Sequence, residues 1–161
     1  MTRRFLLSFL SALGLVRQSV IADAATPPPS TRADVLTLTD AQWKQRLTPA
    51  QYDVLRNAGT ERPGSSALNA EKRPGRFVCA GCALPLFDAS MKFESGTGWP
   101  SFWKPLDKAV VEESDTTLFM KRTEVLCRRC GGHLGHVFDD GPKPTGLRYC
   151  MNGVSMNFKV A

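Results

Sequence analysis

Long apolar runs are missing from this chain of 161 residues. The apolar run at residues 5–16 has twelve residues, whereas a helix that spans a bilayer needs about 20. We therefore expect no stable membrane anchor. The 13 glycines and 11 prolines are too few for a low-complexity chain. Because 42% of the residues are hydrophobic and 22% are charged, the composition is that of a globular domain and excludes a wholly disordered chain.

Histidine and acidic residues are also scarce. The chain has 2 histidines, and 15 acidic residues stand against 21 basic ones, which gives a formal net charge of +6. Such an excess permits weak attraction to nucleic acid or to an anionic membrane. Part of it lies in the first 24 residues, where Arg3, Arg4 and Arg17 belong to a targeting pattern. We therefore expect no nucleic-acid partner.

The first residues have the pattern of an export signal. Arg3 and Arg4 precede the apolar run, and Ala22-Asp23-Ala24 matches the small-x-small pattern of a signal-peptidase site. The start also resembles a twin-arginine signal, although an ordinary Sec signal or a mitochondrial presequence remains an alternative. We predict an export signal peptide at 1–24, a proline-rich linker at 25–37 and a single domain at 38–161. The predicted location is the bacterial periplasm.

Two short helices are predicted at the start of this domain, each opened by a capping box. Thr39 is followed three residues later by Gln42, and Thr48 is followed by Gln51. Pro49 occupies the first helical position of the second helix, where its missing N–H costs nothing. This helix is predicted to end at Asn57.

From Gly64 onward the pattern changes to short apolar runs separated by turn residues. No later segment shows helical periodicity over three turns. We predict a mainly β domain of mostly antiparallel strands with short N-terminal helices. The predicted strands are residues 76–79, 110–113, 117–127, 135–138, 147–152 and 155–160.

Four of the five cysteines form two CxxC pairs, Cys79 with Cys82 and Cys127 with Cys130. Each pair makes a turn tight enough to direct two thiolates at one ion, and two pairs complete a closed tetrahedral zinc site. Two disulfides are an alternative in an exported protein. A redox CxxC is another, but it usually precedes a helix in a βαβ unit, which is missing here.

A mixed ligand set must also be considered, because His133 and His136 follow Cys130 closely. A site of Cys127, Cys130 and the two histidines would lack the longer loop of a zinc finger. It would also leave the first CxxC pair unused. The spacing therefore favours a structural four-cysteine zinc site and leaves the histidines for other work.

The fifth cysteine, Cys150, lies between Arg148 and Asn152. On a strand these three side chains share one face. A positive charge near sulfur favours the nucleophilic thiolate, and a histidine pair nearby can transfer protons. A lone cysteine is often only a small buried apolar residue, but this arrangement indicates a reactive thiol.

At this point the chain resembles the B-type methionine sulfoxide reductases, which reduce methionine-R-sulfoxide. The resemblance extends over almost all of residues 38–160. Six motifs carry it: Gly59-Thr60-Glu61, the two CxxC pairs, Ser95-Gly96-Thr97-Gly98-Trp99-Pro100-Ser101-Phe102, Arg122-Thr123-Glu124-Val125, His133-Leu134-Gly135-His136-Val137-Phe138 and Arg148-Tyr149-Cys150-Met151-Asn152-Gly153. It implies a tent-like pair of antiparallel sheets with zinc at one edge.

The resemblance also implies roles for individual residues in a peptide-methionine (R)-S-oxide reductase. Cys150 would attack the sulfoxide sulfur and become a sulfenic acid, and Arg148 would help to hold its thiolate. Trp99 would pack against the substrate methyl group. The sulfoxide oxygen would be bound and protonated by a polar group of residues: His133, His136 and Asn152. Phe138 and Asp140 fall in the matching substrate-pocket segment.

Two departures from the family pattern stand out. Many members have a resolving cysteine where this chain has Thr97, so the sulfenic acid requires an external thiol reductant such as a thioredoxin-like protein. Some members also have a histidine in the segment matching 110–117, and this chain has none there. The expected substrate is oxidised methionine, protein-bound or free, and the expected solution state is a monomer.

The alternative is a zinc-stabilised binding module without catalytic activity. Arg128 and Arg129, between two of the cysteines, would then contact an anionic partner. That alternative gives no reason for the Arg148–Asn152 and Gly98–Pro100 motifs. The reductase is therefore the favoured hypothesis.

Overall fold

A computed structural model describes residues 34–116 and 121–161. The predicted signal peptide at 1–24 lies outside these residues, as do residues 25–33 of the predicted linker. Residues 117–120, the start of a predicted strand, lie outside them as well. The last part of the predicted linker contacts the domain, since Asp34 pairs with Arg128 and the Leu36 N–H donates to the Arg129 carbonyl at 2.7 Å.

Two helices open the described chain, α1 (Asp40–Arg46) and α2 (Pro49–Asn57). Both predicted capping boxes are confirmed: Thr39 exchanges hydrogen bonds with Gln42, and Thr48 exchanges them with Gln51. The second helix ends as predicted, and Ala58 follows it in the left-handed conformation. Neither helix is long and apolar enough to cross a membrane, and the same holds for the rest of the described residues.

Nine strands follow the helices within the residues that the structure describes. They are β1 (Gly75–Cys79), β2 (Pro85–Asp88), β3 (Lys92–Phe93), β4 (Ser101–Phe102), β5 (Val110–Asp115), β6 (Arg122–Cys127), β7 (His133–Phe138), β8 (Arg148–Met151) and β9 (Met156–Val160). The described residues also contain three short 3₁₀ helices. One precedes β1, at Ala67–Asn69, and two lie between strands, at Ala89–Met91 and Gly153–Ser155. The prediction of a mainly β domain is thereby confirmed.

The strands form two antiparallel sheets. The smaller sheet has the order β2-β1-β9, and the larger has the order β3-β4-β8-β7-β6-β5. In the larger sheet His136 lies directly opposite Cys150 on the neighbouring strand. Directly opposed residues project from the same face of an antiparallel pair. This register therefore places one predicted histidine beside the predicted nucleophile.

Aromatic side chains from both sheets form the core between them. Phe77 and Phe87 of the smaller sheet and Phe102 of the larger one are fully buried. The Phe87 and Phe102 rings stack with their centroids 4.2 Å apart, and Phe77 meets Phe102 edge-on at 4.9 Å. Because each such ring buries a large apolar area, this contact holds the two sheets together.

Three strands were not predicted from the sequence: β2, β3 and β4. The latter two have only two residues each, too few to show a period-2 pattern. Strand β2 begins with Pro85, a residue that normally argues against a strand. It is tolerated here because β2 is an edge strand of its sheet.

Candidate active site

The two CxxC pairs come together as the sequence predicts. Their four sulfur atoms lie within 4.8 Å of one another and are buried. Across the pairs, the Cys79 and Cys130 sulfurs are 3.7 Å apart, and the Cys82 and Cys127 sulfurs are 3.5 Å apart. Within the described ranges no other group of three or more histidine, cysteine or acidic side chains lies so close together.

The two CxxC turns have the same backbone hydrogen bonds. In the first, the Cys79 N–H donates to the Leu84 carbonyl and the Ala83 N–H donates to the Cys79 carbonyl. In the second, the Cys127 N–H donates to the Gly132 carbonyl and the Gly131 N–H donates to the Cys127 carbonyl. Ala83 and Gly131 occupy the equivalent place in left-handed conformation, with φ of 59° and 63°. The sequence therefore builds one metal-binding turn twice.

The chemistry and spacing of the four sulfurs fit a structural metal ion. Zinc binds thiolate at about 2.3 Å, so a tetrahedral site has sulfurs about 3.8 Å apart. Arginines from two elements satisfy backbone carbonyls of the turns: Arg129 donates to Cys82 at 3.2 Å and Arg56 donates to Cys130 at 3.0 Å. Their positive charge also offsets the negative charge that four thiolates would bring.

A cavity of about 180 Å³ lies in the region where the sequence predicts the substrate. Its lining consists of Thr60, Trp99, Arg122, Gly135, His136, Phe138, Cys150 and Asn152. Five of these are predicted site residues drawn from three separate motifs. A larger cavity of about 710 Å³ lies beside β1 and β2, but its lining contains neither cysteine nor histidine. The smaller cavity is therefore the candidate active site.

Cys150 is the partly exposed cysteine of the five, while the other four are buried. Strand β8 places Arg148 and Cys150 on the same face, because Tyr149 between them turns into the core. Arg148 lies near enough to Cys150 for the sulfur to help raise the pKa of the arginine, although the main cause is its bond to Asp140. Arg148 and Cys150 therefore lie side by side on one face of β8, and the role of the arginine toward the thiol stays a prediction.

A short chain of hydroxyl groups leads to the Cys150 sulfur. The Ser101 hydroxyl donates to the Trp99 carbonyl at 3.1 Å, and Ser95 lies 2.7 Å from Ser101. The Thr97 hydroxyl lies 2.8 Å from that of Ser95 and 3.9 Å from the Cys150 sulfur. The residue at the place of the family's resolving cysteine is therefore an immediate neighbour of Cys150.

Each histidine is held by a carboxylate. His133 Nδ1 lies 2.5 Å from Glu124, and His136 Nε2 lies 2.9 Å from Asp115. These contacts argue against the mixed cysteine–histidine ligand set. Burial lowers the pKa of His133, an effect that Glu124 opposes. The Nε2 atom of His133 is buried and has no hydrogen-bond partner among residues 34–116 and 121–161.

Asn152 and Trp99 are tied to one another through Glu61. The Glu61 N–H donates to the Asn152 side-chain oxygen at 3.0 Å, and the Trp99 indole N–H donates to the Glu61 carbonyl at 3.2 Å. The Asn152 amide group also donates to the Leu134 carbonyl at 3.1 Å. Although β8 ends at Met151, these bonds keep Asn152 at the cavity that Cys150 lines.

Asp140 lies outside the cavity lining. Its carboxylate accepts two hydrogen bonds from Arg148, each of 2.8 Å, and this contact lowers the pKa of Asp140. The same guanidinium lies 4.5 Å from the centre of the Phe138 ring. Asp140 thus contacts the predicted thiolate partner. Phe138 is part of the cavity lining, whereas Arg148 is not.

The sequence reasoning assigned no site role to several residues that the fold brings here. Thr60 and Arg122 line the cavity, while Glu61, Asp115 and Glu124 hold predicted site residues. A signal was available for most of them, because Thr60, Glu61, Arg122 and Glu124 lie within the family motifs. Asp115 gave no such signal: it pairs with both His136 and Arg122 only because β5 lies beside β6.

Comparisons with known proteins agree with this geometry. The SelR domain matches residues 47–160. The peptide methionine sulfoxide reductase MsrB of Cellvibrio japonicus is 58% identical over 118 residues, which cover 73% of this chain and 84% of the relative. The MsrB of Methanosarcina barkeri is 56% identical over 123 residues, 76% of this chain and 87% of the relative. That of Leptospira interrogans is 52% identical over 122 residues, 75% of this chain and 93% of the relative. The chain therefore belongs to the SelR-domain family of peptide methionine sulfoxide reductases, as its motifs predict.

Proposed function

We propose that this protein reduces methionine-R-sulfoxide to methionine, in proteins or free, and so repairs oxidised proteins. The observation that carries the proposal is the cavity itself. A partly exposed thiol, Cys150, shares it with the apolar Trp99 ring on one hand and with the polar His136 and Asn152 on the other. A methyl sulfoxide has the matching pair of groups, a methyl without hydrogen bonds and an oxygen that accepts them.

In the first step the Cys150 sulfur attacks the sulfoxide sulfur. The sulfur–oxygen bond of the substrate breaks, and a sulfur–oxygen bond forms on Cys150, so the products are methionine and a cysteine sulfenic acid. The thiol proton, or its equivalent, ends on the transferred oxygen. Arg148 lies on the same face of β8 as this nucleophile and brings a positive charge close to the attacking sulfur.

The histidines supply and accept the proton at the substrate oxygen. Each carboxylate accepts a hydrogen bond from one ring nitrogen, Nδ1 of His133 and Nε2 of His136. The second nitrogen of His136, which lines the cavity, is then the one that exchanges a proton with substrate. His133 lies outside the lining, with its ring centre 5.4 Å from that of His136, and acts through that ring. Asn152 donates its amide to the same oxygen, while the Trp99 ring excludes water around the methyl group.

The second half of the cycle requires a thiol from outside the protein. An external thiol attacks the Cys150 sulfenic acid, releases water and forms a mixed disulfide. A second external thiol then attacks this mixed disulfide, which restores the Cys150 thiol and releases the reductant as a disulfide. Two facts support an external donor: Thr97 offers only a hydroxyl beside Cys150, and the other four cysteines are buried together. A thioredoxin-like protein is the proposed reductant.

The proposed metal is Zn²⁺, held by the four clustered cysteines. Bound by all four cysteines, the ion would have no open position for substrate, and it would supply folding energy rather than catalysis. A binding module without activity is not favoured, because it needs neither the Cys150 thiol nor the Trp99 wall of the cavity.

The direct test is turnover of the two methionine sulfoxide epimers with dithiothreitol. We expect methionine from the R epimer and none above background from the S epimer, because only one epimer can place its oxygen on the His136 side while its methyl meets Trp99. Methionine is measured by chromatography. Equal turnover of both epimers, or none of either, would contradict the proposal.

We also propose that the protein is exported to the periplasm in folded form. The sequence supports this through Arg3 and Arg4, and the cysteine cluster gives a physical reason. Four metal thiolates that arrive unfolded in an oxidising compartment would form disulfides before they capture zinc. Twin-arginine export carries folded proteins, so the metal can be loaded in the reducing cytoplasm.

The export proposal predicts that Arg3→Lys with Arg4→Lys retains the protein inside the cell. The matched control is Arg17→Lys, which removes no residue of the pair and leaves export intact. Immunoblots of periplasmic and cytoplasmic fractions measure the distribution. Normal export of the double variant would instead indicate the Sec route.

A further inference from the structure

Glu61 does not line the cavity, but it forms four hydrogen bonds with residues at or beside it. Its carboxylate accepts hydrogen bonds from the backbone N–H groups of Gly153, at 2.5 Å, and Val154, at 3.2 Å. Its own N–H donates to Asn152 and its carbonyl accepts from Trp99. One residue thus contacts both walls of the cavity.

The carboxylate replaces a cap that Asn152 would otherwise provide. Asn152 is the N-cap residue of the 3₁₀ helix Gly153–Ser155, but its side chain makes no capping hydrogen bond. Asparagine is among the strongest N-cap residues, because its side-chain oxygen accepts from the first free N–H groups of a helix. Here Glu61 accepts from those N–H groups, so the Asn152 amide remains directed at Glu61 and Leu134.

The segment around Glu61 is packed tightly against two other segments, one at Gly98 and one at Gly153. The Gly64 N–H donates to the Gly98 carbonyl at 2.7 Å. A methyl group added at Gly153 would come within 2.0 Å of the Ser66 hydroxyl. The loop therefore has little freedom to move away, and loss of the Glu61 carboxylate is transmitted to the Gly153 and Val154 N–H groups beside Asn152.

We propose that Glu61 is a positioning residue whose carboxylate keeps the Asn152 side chain at the cavity, where its amide can reach the sulfoxide oxygen. Without the carboxylate, the N–H groups of Gly153 and Val154 need another acceptor, and the Asn152 side chain is the nearest one by sequence. It then turns back to cap the helix and leaves the cavity. The inference rests on the proposed function, but it does not involve the thiol.

The experiment is a double-mutant cycle of Glu61→Gln and Asn152→Ala, measured by R-epimer turnover. Glutamine keeps the size of the side chain, but its NH₂ group cannot accept a hydrogen bond. One of the two backbone N–H groups therefore loses its acceptor. We expect kcat to fall by about tenfold to a hundredfold in Glu61→Gln. In the Asn152→Ala background the same change should cost about twofold or less, because the side chain through which Glu61 acts is gone.

Further measurements separate positioning from structural damage. Alkylation of Cys150 by iodoacetamide should proceed at the wild-type rate in Glu61→Gln, and the NMR signals of the Asn152 side-chain amide should shift. The matched control is Glu71→Gln, a carboxylate that also accepts a backbone N–H, from Arg73 at 2.9 Å, away from the cavity. It should leave turnover unchanged. Glu61→Asp keeps the negative charge but moves it farther from the two N–H groups, because the side chain is one methylene shorter. It is measured in the same cycle in case the glutamine variant does not fold.

Independent losses in the cycle, or wild-type turnover in Glu61→Gln, would overturn the inference. So would an unshifted Asn152 amide signal in a folded variant. The absence of R-epimer turnover in the wild-type protein would instead overturn the proposed function, and the amide signal would still report on Glu61.

Discussion

Replacing Cys150 with serine is expected to lower the turnover of methionine-R-sulfoxide by a factor of about 10³ or more. A serine hydroxyl is a far weaker nucleophile and forms no sulfenic acid. Chromatography of methionine, with dithiothreitol as reductant, measures the loss. The metal content of the variant should equal that of the wild type, because Cys150 is no part of the four-sulfur cluster.

The control for this substitution is the labelling of thiols in the native, metal-loaded protein. The wild type should take up one alkyl group, at the partly exposed Cys150, and substrate should protect it. The serine variant should take up none. A thioredoxin-like reductant whose second, resolving cysteine has been replaced should remain attached to Cys150 through a mixed disulfide. Appreciable turnover by Cys150→Ser, or a disulfide between Cys150 and a cluster cysteine, would contradict the assignment.

Replacing any one cysteine of the four-sulfur cluster should destabilise the fold by several kcal/mol. Metal binding to such sites is coupled to folding, and a domain of this size has only about 5–15 kcal/mol of stability. Cys127→Ser, which opens the cluster at the end of β6, is therefore expected to unfold or aggregate near room temperature. Thermal unfolding and light scattering check this, together with zinc analysis of freshly purified, reduced protein.

Cys150→Ser is the matched control, since it also removes one thiol but leaves the cluster intact. It should unfold at the wild-type temperature. A chelator should lower the unfolding temperature of both proteins alike. Absence of zinc from the reduced wild type, with a mass that indicates two disulfides, would favour the disulfide alternative.

The sequence predicts well those features that depend on local chemistry. The capping boxes at Thr39 and Thr48 and the metal-binding turns all consist of residues close together in the chain. Five of the nine strands in the described residues were predicted at nearly their observed bounds, because their apolar runs are bounded by turn residues. A sixth, β6, was predicted from residue 117 but begins at Arg122. The spacing of the four cysteines predicted the cluster even though the two pairs lie on different sheets.

Features that depend on strand order could not be predicted in this way. The pairing of His136 with Asp115 requires β5, β6 and β7 to be neighbours, and nothing local encodes that order. The contact between Glu61 and the backbone of Gly153 joins residues far apart in the chain. Asp140 was expected in the substrate pocket on motif position alone, and its pairing with Arg148 becomes visible only in three dimensions.

If Cys150 is the nucleophile, we expect the hydroxyl group of Thr97 beside its sulfur to determine how long the oxidised enzyme survives between turnovers. A neighbouring thiol would convert the sulfenic acid to a disulfide at once and so protect it. A hydroxyl cannot, and the sulfenic acid persists until a reductant arrives by diffusion. When reductant is scarce and hydrogen peroxide is abundant, the same sulfur can be oxidised further to sulfinic acid, which thiols do not reverse. On the proposed mechanism, we therefore expect the capacity of this enzyme under oxidative stress to be limited by the local supply of its electron donor.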